Sequence, residues 1–184
     1  MTVTGTMTLA EFLALPENQP ALEYDNGVVT QKVSPEGRHS ALQSGMAEQI
    51  NRQIRPRRLG RAFTELRATF ANLSRVPDIA VYRWNRIPRN AAGEVVDDFL
   101  EPPDIAIEIV SPGQSTNRLI ERCLTFIEAG AQAAILVDPA DHSVALMRAG
   151  MTMAVLRAGD LLDLSDIIPD LRLDITALFD ELKN

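Results

Sequence analysis

Asp104-Ile-Ala-Ile-Glu-Ile-Val-Ser-Pro112 is a β-branched run with a single carboxylate, Glu108, inside it, and Val76-Pro-Asp-Ile-Ala-Val-Tyr82 is its sister stretch. Both are short, apolar and flanked by prolines, the pattern of a strand covered on both faces. Pro102 and Pro103 force an extended approach, and Ser111-Pro112-Gly113 ends the run. Glu108 is therefore expected in a buried strand, where an ionised acid costs several kcal/mol unless a cation compensates it.

Geometry selects a partner acid. Asp104 shares a strand face with Glu108 but lies roughly 13 Å along it, too far to share one ion. Asp78 stands near the start of the sister strand, and neighbouring strands run about 5 Å apart. Asp78 and Glu108 are thus expected to share magnesium or manganese, with the carbonyl of Ile109 as a third hard ligand. The same pattern also fits a strand-end aspartate in a turn together with a glutamate paired to an arginine. If the strands are central, Ile79, Val81, Ile105, Ile107, Ile109, Ile135 and Val137 should be almost inaccessible.

A chain of 184 residues suits one compact domain, read here as 1–184. Its composition, 46% hydrophobic and 23% charged, is ordinary for a soluble protein. No apolar run reaches the length of a membrane span and no secretory pattern is read at the start, so a cytoplasmic location is expected. The one cysteine, Cys123, fits a reducing compartment and lies on the apolar side of a helix pattern, as core. A net charge of −7 argues against a surface that grips nucleic acid everywhere, and leaves room for a local basic patch. Of 18 Lys+Arg, only Lys32 and Lys183 are lysines.

Along the chain, Thr8-Leu-Ala-Glu11 is a capping box for a short helix to Leu15. Ala21–Tyr24 and Val28–Val33 form a hairpin through Asp25-Asn26-Gly27. Leu42, Met46 and Ile50 mark a helix from near His39 to near Arg55, with His39 and Gln43 one turn apart on another face. Arg61–Phe70 reads as a strand or two, and Trp84–Pro103 as a long surface loop. Ser115 and Thr116 cap a helix ending at Gly130, with Leu119, Ile120, Cys123, Leu124 and Ile127 as its apolar face and Arg118 and Arg122 together on another. Ala133–Val137 is a third buried strand. Ser143–Arg148 and Met151–Arg157 form a second hairpin, Asp160–Leu173 is a polar-apolar tail, and Ile175–Leu182 is a last helix. Arg52, Arg55, Arg57, Arg58 and Arg61 form a dense arginine run, which is either a solvated helix end or a phosphate-binding surface.

The order of these elements resembles the PD-(D/E)XK nuclease core, with Pro77-Asp78 as the PD half and Glu108-Ile109-Val110 as the other. Four longer strings are more specific: Leu22-Glu-Tyr-Asp-Asn-Gly27, Val76-Pro-Asp-Ile-Ala-Val81, Pro103-Asp-Ile-Ala-Ile-Glu-Ile-Val-Ser-Pro112, and Ala129-Gly130 followed by Ile135-Leu-Val-Asp-Pro139. Together they are similar to the Uma-two family, which is classed with bacterial restriction endonucleases. The resemblance implies an α/β fold of restriction-endonuclease type: a mixed central sheet flanked by helices, with an N-terminal and a C-terminal β-hairpin. It further implies magnesium or manganese on Asp78, Glu108 and Ile109, DNA as partner, and a homodimer.

In that superfamily a lysine follows the acid by two positions; here Val110 stands there. One subgroup carries a lysine at the hairpin position occupied by Lys32, which makes Lys32 the candidate cation; a solvated strand-edge lysine is the other reading. Glu23 matches an acid of the family's opening motif and is a candidate for the site or for a cross-strand ion pair. His39, Arg118 and Arg122 are candidates to contact nucleic acid. An arginine can stabilise developing charge but cannot act as a general base. Two functions follow: a metal-dependent endonuclease acting on DNA, or a binding module that kept the fold and lost turnover.

Overall fold

The structure, a computed structural model, describes residues 7–183; residues 1–6 and 184, part of the expected 1–184 domain, lie outside the described residues. The two apolar runs form the middle of a mixed six-stranded sheet. Its strands are β3 (Gly60–Thr64), β6 (Ile79–Arg83), β7 (Ile105–Ile109), β8 (Ala133–Asp138), β9 (Ser143–Met147) and β10 (Ala154–Leu156), in the order β10-β9-β8-β7-β6-β3. Only β7 and β8 are parallel, which requires the crossover helix α3 (Thr116–Glu128) between them. The C-terminal hairpin β9–β10 extends this sheet at one edge.

Alternation along each strand assigns the two faces. Ile79, Val81, Ile105, Ile107, Ile109, Ile135 and Val137 pack against Leu42, Met46, Ile50 and Ile54 of helix α2 (Gly37–Ile54). All seven strand residues are 0–1% exposed, as the unbroken apolar runs predict. Ala134, Leu136 and Met147 face Leu119 and Cys123 of α3, and Ala106 faces Phe126. Glu108, between Ile107 and Ile109, therefore points to the α3 side.

A second sheet, β2-β1-β5-β4, comprises β1 (Leu22–Asp25), β2 (Val28–Gln31), β4 (Ala68–Phe70) and β5 (Leu73–Arg75). Helix α1 (Leu9–Leu13) opens with the expected capping box at Thr8 and Glu11 and lays Phe12 on Tyr24.

Three readings of the sequence are corrected. Val76–Tyr82 is not one strand: Val76, Pro77 and Asp78 join β5 to β6, because Pro77 has no N–H for the ladder. On α3, Leu124 is exposed and Phe126 takes its place in the core. The tail to Leu173 is also more ordered than its pattern suggests. Strands β11 (Leu161–Asp163) and β12 (Arg172–Asp174) pair, and Leu162, Leu164, Ile168 and Leu171 close the α2 face together with α4 (Ile175–Asp180).

Asp104 ends the approach to β7 and is wholly buried. It accepts from the Arg83 N–H at 2.8 Å and from Arg83 Nε at 2.7 Å, and pairs with Arg86 at 2.9 Å. Asp104→Asn removes the charge but keeps the shape. It should cost about 1–3 kcal/mol in urea unfolding, because the backbone N–H loses a charged acceptor while both arginines can turn to water.

Candidate active site

Asp78 and Glu108 meet as the strand spacing requires. The β6–β7 register pairs Ile79 with Ile107, and one step further sets Asp78 opposite Glu108. The Asp78 carboxylate also accepts the Ile109 N–H at 2.7 Å, which ties the joint before β6 to the end of β7. Both acids are buried and line a cavity of about 120 Å³, shared with Glu23, Lys32, His39, Ile109 and Arg122.

Lys32 reaches this cavity from just beyond β2. Its Nζ donates to Asp78 Oδ1 at 2.8 Å and to Glu65 Oε2 at 2.9 Å. Burial works against the ammonium, but the charges of Asp78, Glu108 and Glu65 outweigh it and hold the group protonated. His39, from the first turn of α2, is buried rather than solvated, with Nε2 3.0 Å from Asp78 Oδ2. Burial raises the Asp78 pKa, yet the His39 hydrogen bond and the Lys32 charge bring it down to about 2.

Glu108 has the opposite balance. Burial pushes it up to about 7, with Asp78 and Glu23 adding to the rise and Arg122 and Lys32 opposing it. Arg122 of α3 donates through Nε to Glu108 Oε1 at 2.6 Å. Its other nitrogens grip both oxygens of Glu23, at 2.5 and 2.6 Å. Burial of Glu23 is more than offset by this guanidinium and by the Val76 N–H, so its pKa is lowered. The structure thus gives Glu108 the arginine partner that was one of the two readings of this acid. Arg122 is committed to the two carboxylates, and Arg118 stands exposed on α3 outside the cavity lining. Val110 packs against the apolar side of α3 and brings no charge to the site.

Two polar residues beyond the sequence candidates complete the cluster. Gln43 donates to Glu65 Oε1 and to the Asp78 carbonyl, each at 2.8 Å. Its one-turn spacing from His39 was the available signal. Glu65 sits at φ 51° in the turn after β3, and nothing in Thr64–Arg67 marks that turn in the sequence.

The sheet order, flanking helices and acid pair define a restriction-endonuclease-like fold. A crystal structure from Anabaena variabilis ATCC 29413, described as "a putative nuclease belonging to DUF820", superposes with a TM-score of 0.91 at 42% identity. The match covers 96% of this chain and 99% of that one. The chain belongs to the Uma2 family, described as "Putative restriction endonuclease", whose profile matches residues 9–176. Family and structural neighbour both support a nuclease. A search of curated proteins finds no match. Among the described residues, no helix is long and apolar enough to cross a membrane.

Proposed function

We propose that the protein is a metal-dependent endonuclease that hydrolyses phosphodiester bonds in DNA. The observation that carries this reading is the meeting of Lys32, Asp78 and Glu108, from three separate segments, around one polar cavity. Asp78, Glu108 and the Ile109 carbonyl would hold magnesium or manganese, which when bound polarises a phosphate and acidifies a water. The donor chemistry fits. The acids are hard oxygen ligands that line one polar cavity, and burial raises the Glu108 pKa even with Arg122 in contact. Among the described residues no group of three or more His, Cys, Asp or Glu is placed to hold a metal ion. Two carboxylates are nonetheless the usual protein share of a magnesium site, with waters and substrate phosphate completing it.

The chain's own groups have distinct tasks in this reading. Lys32 keeps its proton at Nζ and neutralises charge growing on the phosphate oxygens. His39 and the Ile109 N–H fix the Asp78 carboxylate. Glu23 orients Arg122, which orients Glu108; it is a positioning residue. A cytoplasmic homodimer suits the reading, since paired symmetric sites cut paired strands.

One observation favours the alternative, a binding module without turnover: Lys32, His39 and Arg122 already compensate both acids without an ion. Calorimetric titration with magnesium and manganese tests the primary reading. Wild type should bind one ion and Asp78→Ala should lose at least about tenfold in affinity. Equal affinity in the two proteins would rule this site out. DNA binding without cleavage in either metal would select the module.

A further inference from the structure

The arginine run that ends α2 is not used by the acid cluster, yet the fold gathers it with a distant loop. Arg58, in the turn after α2, and Arg89, in the loop after β6, both lie over the Trp84 ring, at 6.0 and 4.7 Å from its centroid. Arg61, on β3, covers Phe63 at 4.6 Å. Partial burial and the nearby charges of Arg55 and Arg89 lower the Arg61 pKa, so these cations crowd one another. None of Arg55, Arg58, Arg61 and Arg89 has an acidic partner among the described residues, whereas Arg57 pairs with Asp170. The helix C-terminus accounts for Arg55, because its carbonyls attract a cation. It does not account for Arg58, Arg61 and Arg89, which stand on a turn, an edge strand and a loop.

This patch connects to the acid cluster. A surface groove of about 480 Å³ runs beside the edge strand β3, bordered by Arg61 and Phe63 at one part and Glu65 at another, with Asn51 and Glu48 on its α2 side. Glu65 is the residue that holds Lys32. From Arg61 to Thr64, the end of β3, the strand covers about 10 Å, and Glu65 follows in the turn.

We propose that Arg55, Arg58, Arg61 and Arg89 form a phosphate-gripping patch for duplex DNA that guides the backbone along the β3 groove toward the Asp78–Glu108 cavity. The occupant follows from charge and from the aromatic rings. In a chain of net charge −7, uncompensated arginines gathered from separated segments complement a polyanion. Single-strand binders offer bare aromatic faces for base stacking. Here guanidinium groups lie over Trp84 and Phe63, so the patch presents charge to phosphates and not rings to bases. Contacts of this kind position a duplex without reading its sequence. The inference rests on the endonuclease reading for its substrate, but its test does not require cleavage.

Fluorescence anisotropy of a short labelled duplex in EDTA reads the patch alone. Arg55→Gln/Arg58→Gln/Arg89→Gln changes only exposed residues and should weaken binding at low salt by at least about tenfold. The slope of log K against log salt should become shallower by about 0.9 per lost phosphate contact. The same three positions changed to Lys should retain most of the affinity. A charge-matched control, Arg157→Gln/Arg172→Gln/Lys183→Gln, should change binding less than twofold. Wild-type affinity in the patch variant, an equal loss in the control, or tighter competition by a single-stranded oligonucleotide overturns the proposal. If the patch variant loses binding while wild type cleaves nothing in magnesium, the patch stands and the catalytic reading falls.

Discussion

Arg122→Ala should lower the stability of the fold by about 3–5 kcal/mol, because it strands two buried carboxylates at once. Glu23 and Glu108 are 4% and 3% exposed, and the guanidinium is their common counter-ion. Against a total of about 5–15 kcal/mol for a typical protein, such a loss endangers the native state. The damage comes from unpaired charge, not from a missing attraction, so removing all three charges should repair it. Arg122→Met with Glu23→Gln and Glu108→Gln should recover most of the stability in urea unfolding. The pH dependence gives a second check. The folded pKa of Glu108, about 7, lies above its ordinary 4.5. Its contribution is therefore full below pH 4.5 and lost as pH rises through 7. Without Arg122 both acids lose the largest charge opposing their burial, so both pKa values should move up. The deficit of Arg122→Ala relative to wild type should thus shrink between pH 7 and pH 5. A deficit that stays constant over this range would mean that the arginine acts by packing alone.

That arginine also shows where the sequence stops being informative. The β-branched runs made the central strands legible, since few other patterns place Ile105, Ile107 and Ile109 beyond the reach of water. Strand spacing brought Asp78 near Glu108 but did not decide between a shared ion and pairing with the chain's own cations, and the structure shows Glu108 on Arg122. The direction of α3 was not readable, because Leu124 and Phe126 are equally good core residues by periodicity. Burying Phe126 turns Arg122 toward Glu108 and leaves Arg118 in solvent, although one helical turn separates the two. Glu65 was hidden for a different reason: its turn uses a left-handed glutamate where glycine or asparagine would have announced it. The leucines and isoleucines from 162 to 173 follow no single period, since they fill the open side of a core already formed by α2 and the sheet.

On the proposed endonuclease reading, Lys32→Ala should lower DNA cleavage by about 10²–10³-fold, the usual effect of removing one group aimed at developing charge. The ammonium is the only lysine charge near the acids: the other lysine, Lys183, is exposed and pairs with Asp180. Val110, where the superfamily resemblance would put a lysine, is packed against α3, so the loss cannot be made good from β7. Stability should fall far less than turnover. Asp78 keeps the His39 contact and the Ile109 N–H, and Glu65 is 44% exposed at its side chain and can turn to water. Lys32→Ala should therefore melt close to wild type while its kcat collapses, and Lys183→Ala should match wild type in both. Lys32→Arg tests whether charge alone suffices. The ammonium is a compact donor between two carboxylates, and a longer planar guanidinium cannot occupy the same point, so recovery should be partial. Burial also constrains the chemistry: the surrounding acids hold Lys32 protonated, so the rate should show no loss assignable to Lys32 ionisation up to pH 9. Unchanged cleavage by Lys32→Ala would move the catalytic cation elsewhere on the site's rim. Arg118 would then be the next residue to replace, since Arg122 is already held by Glu23 and Glu108.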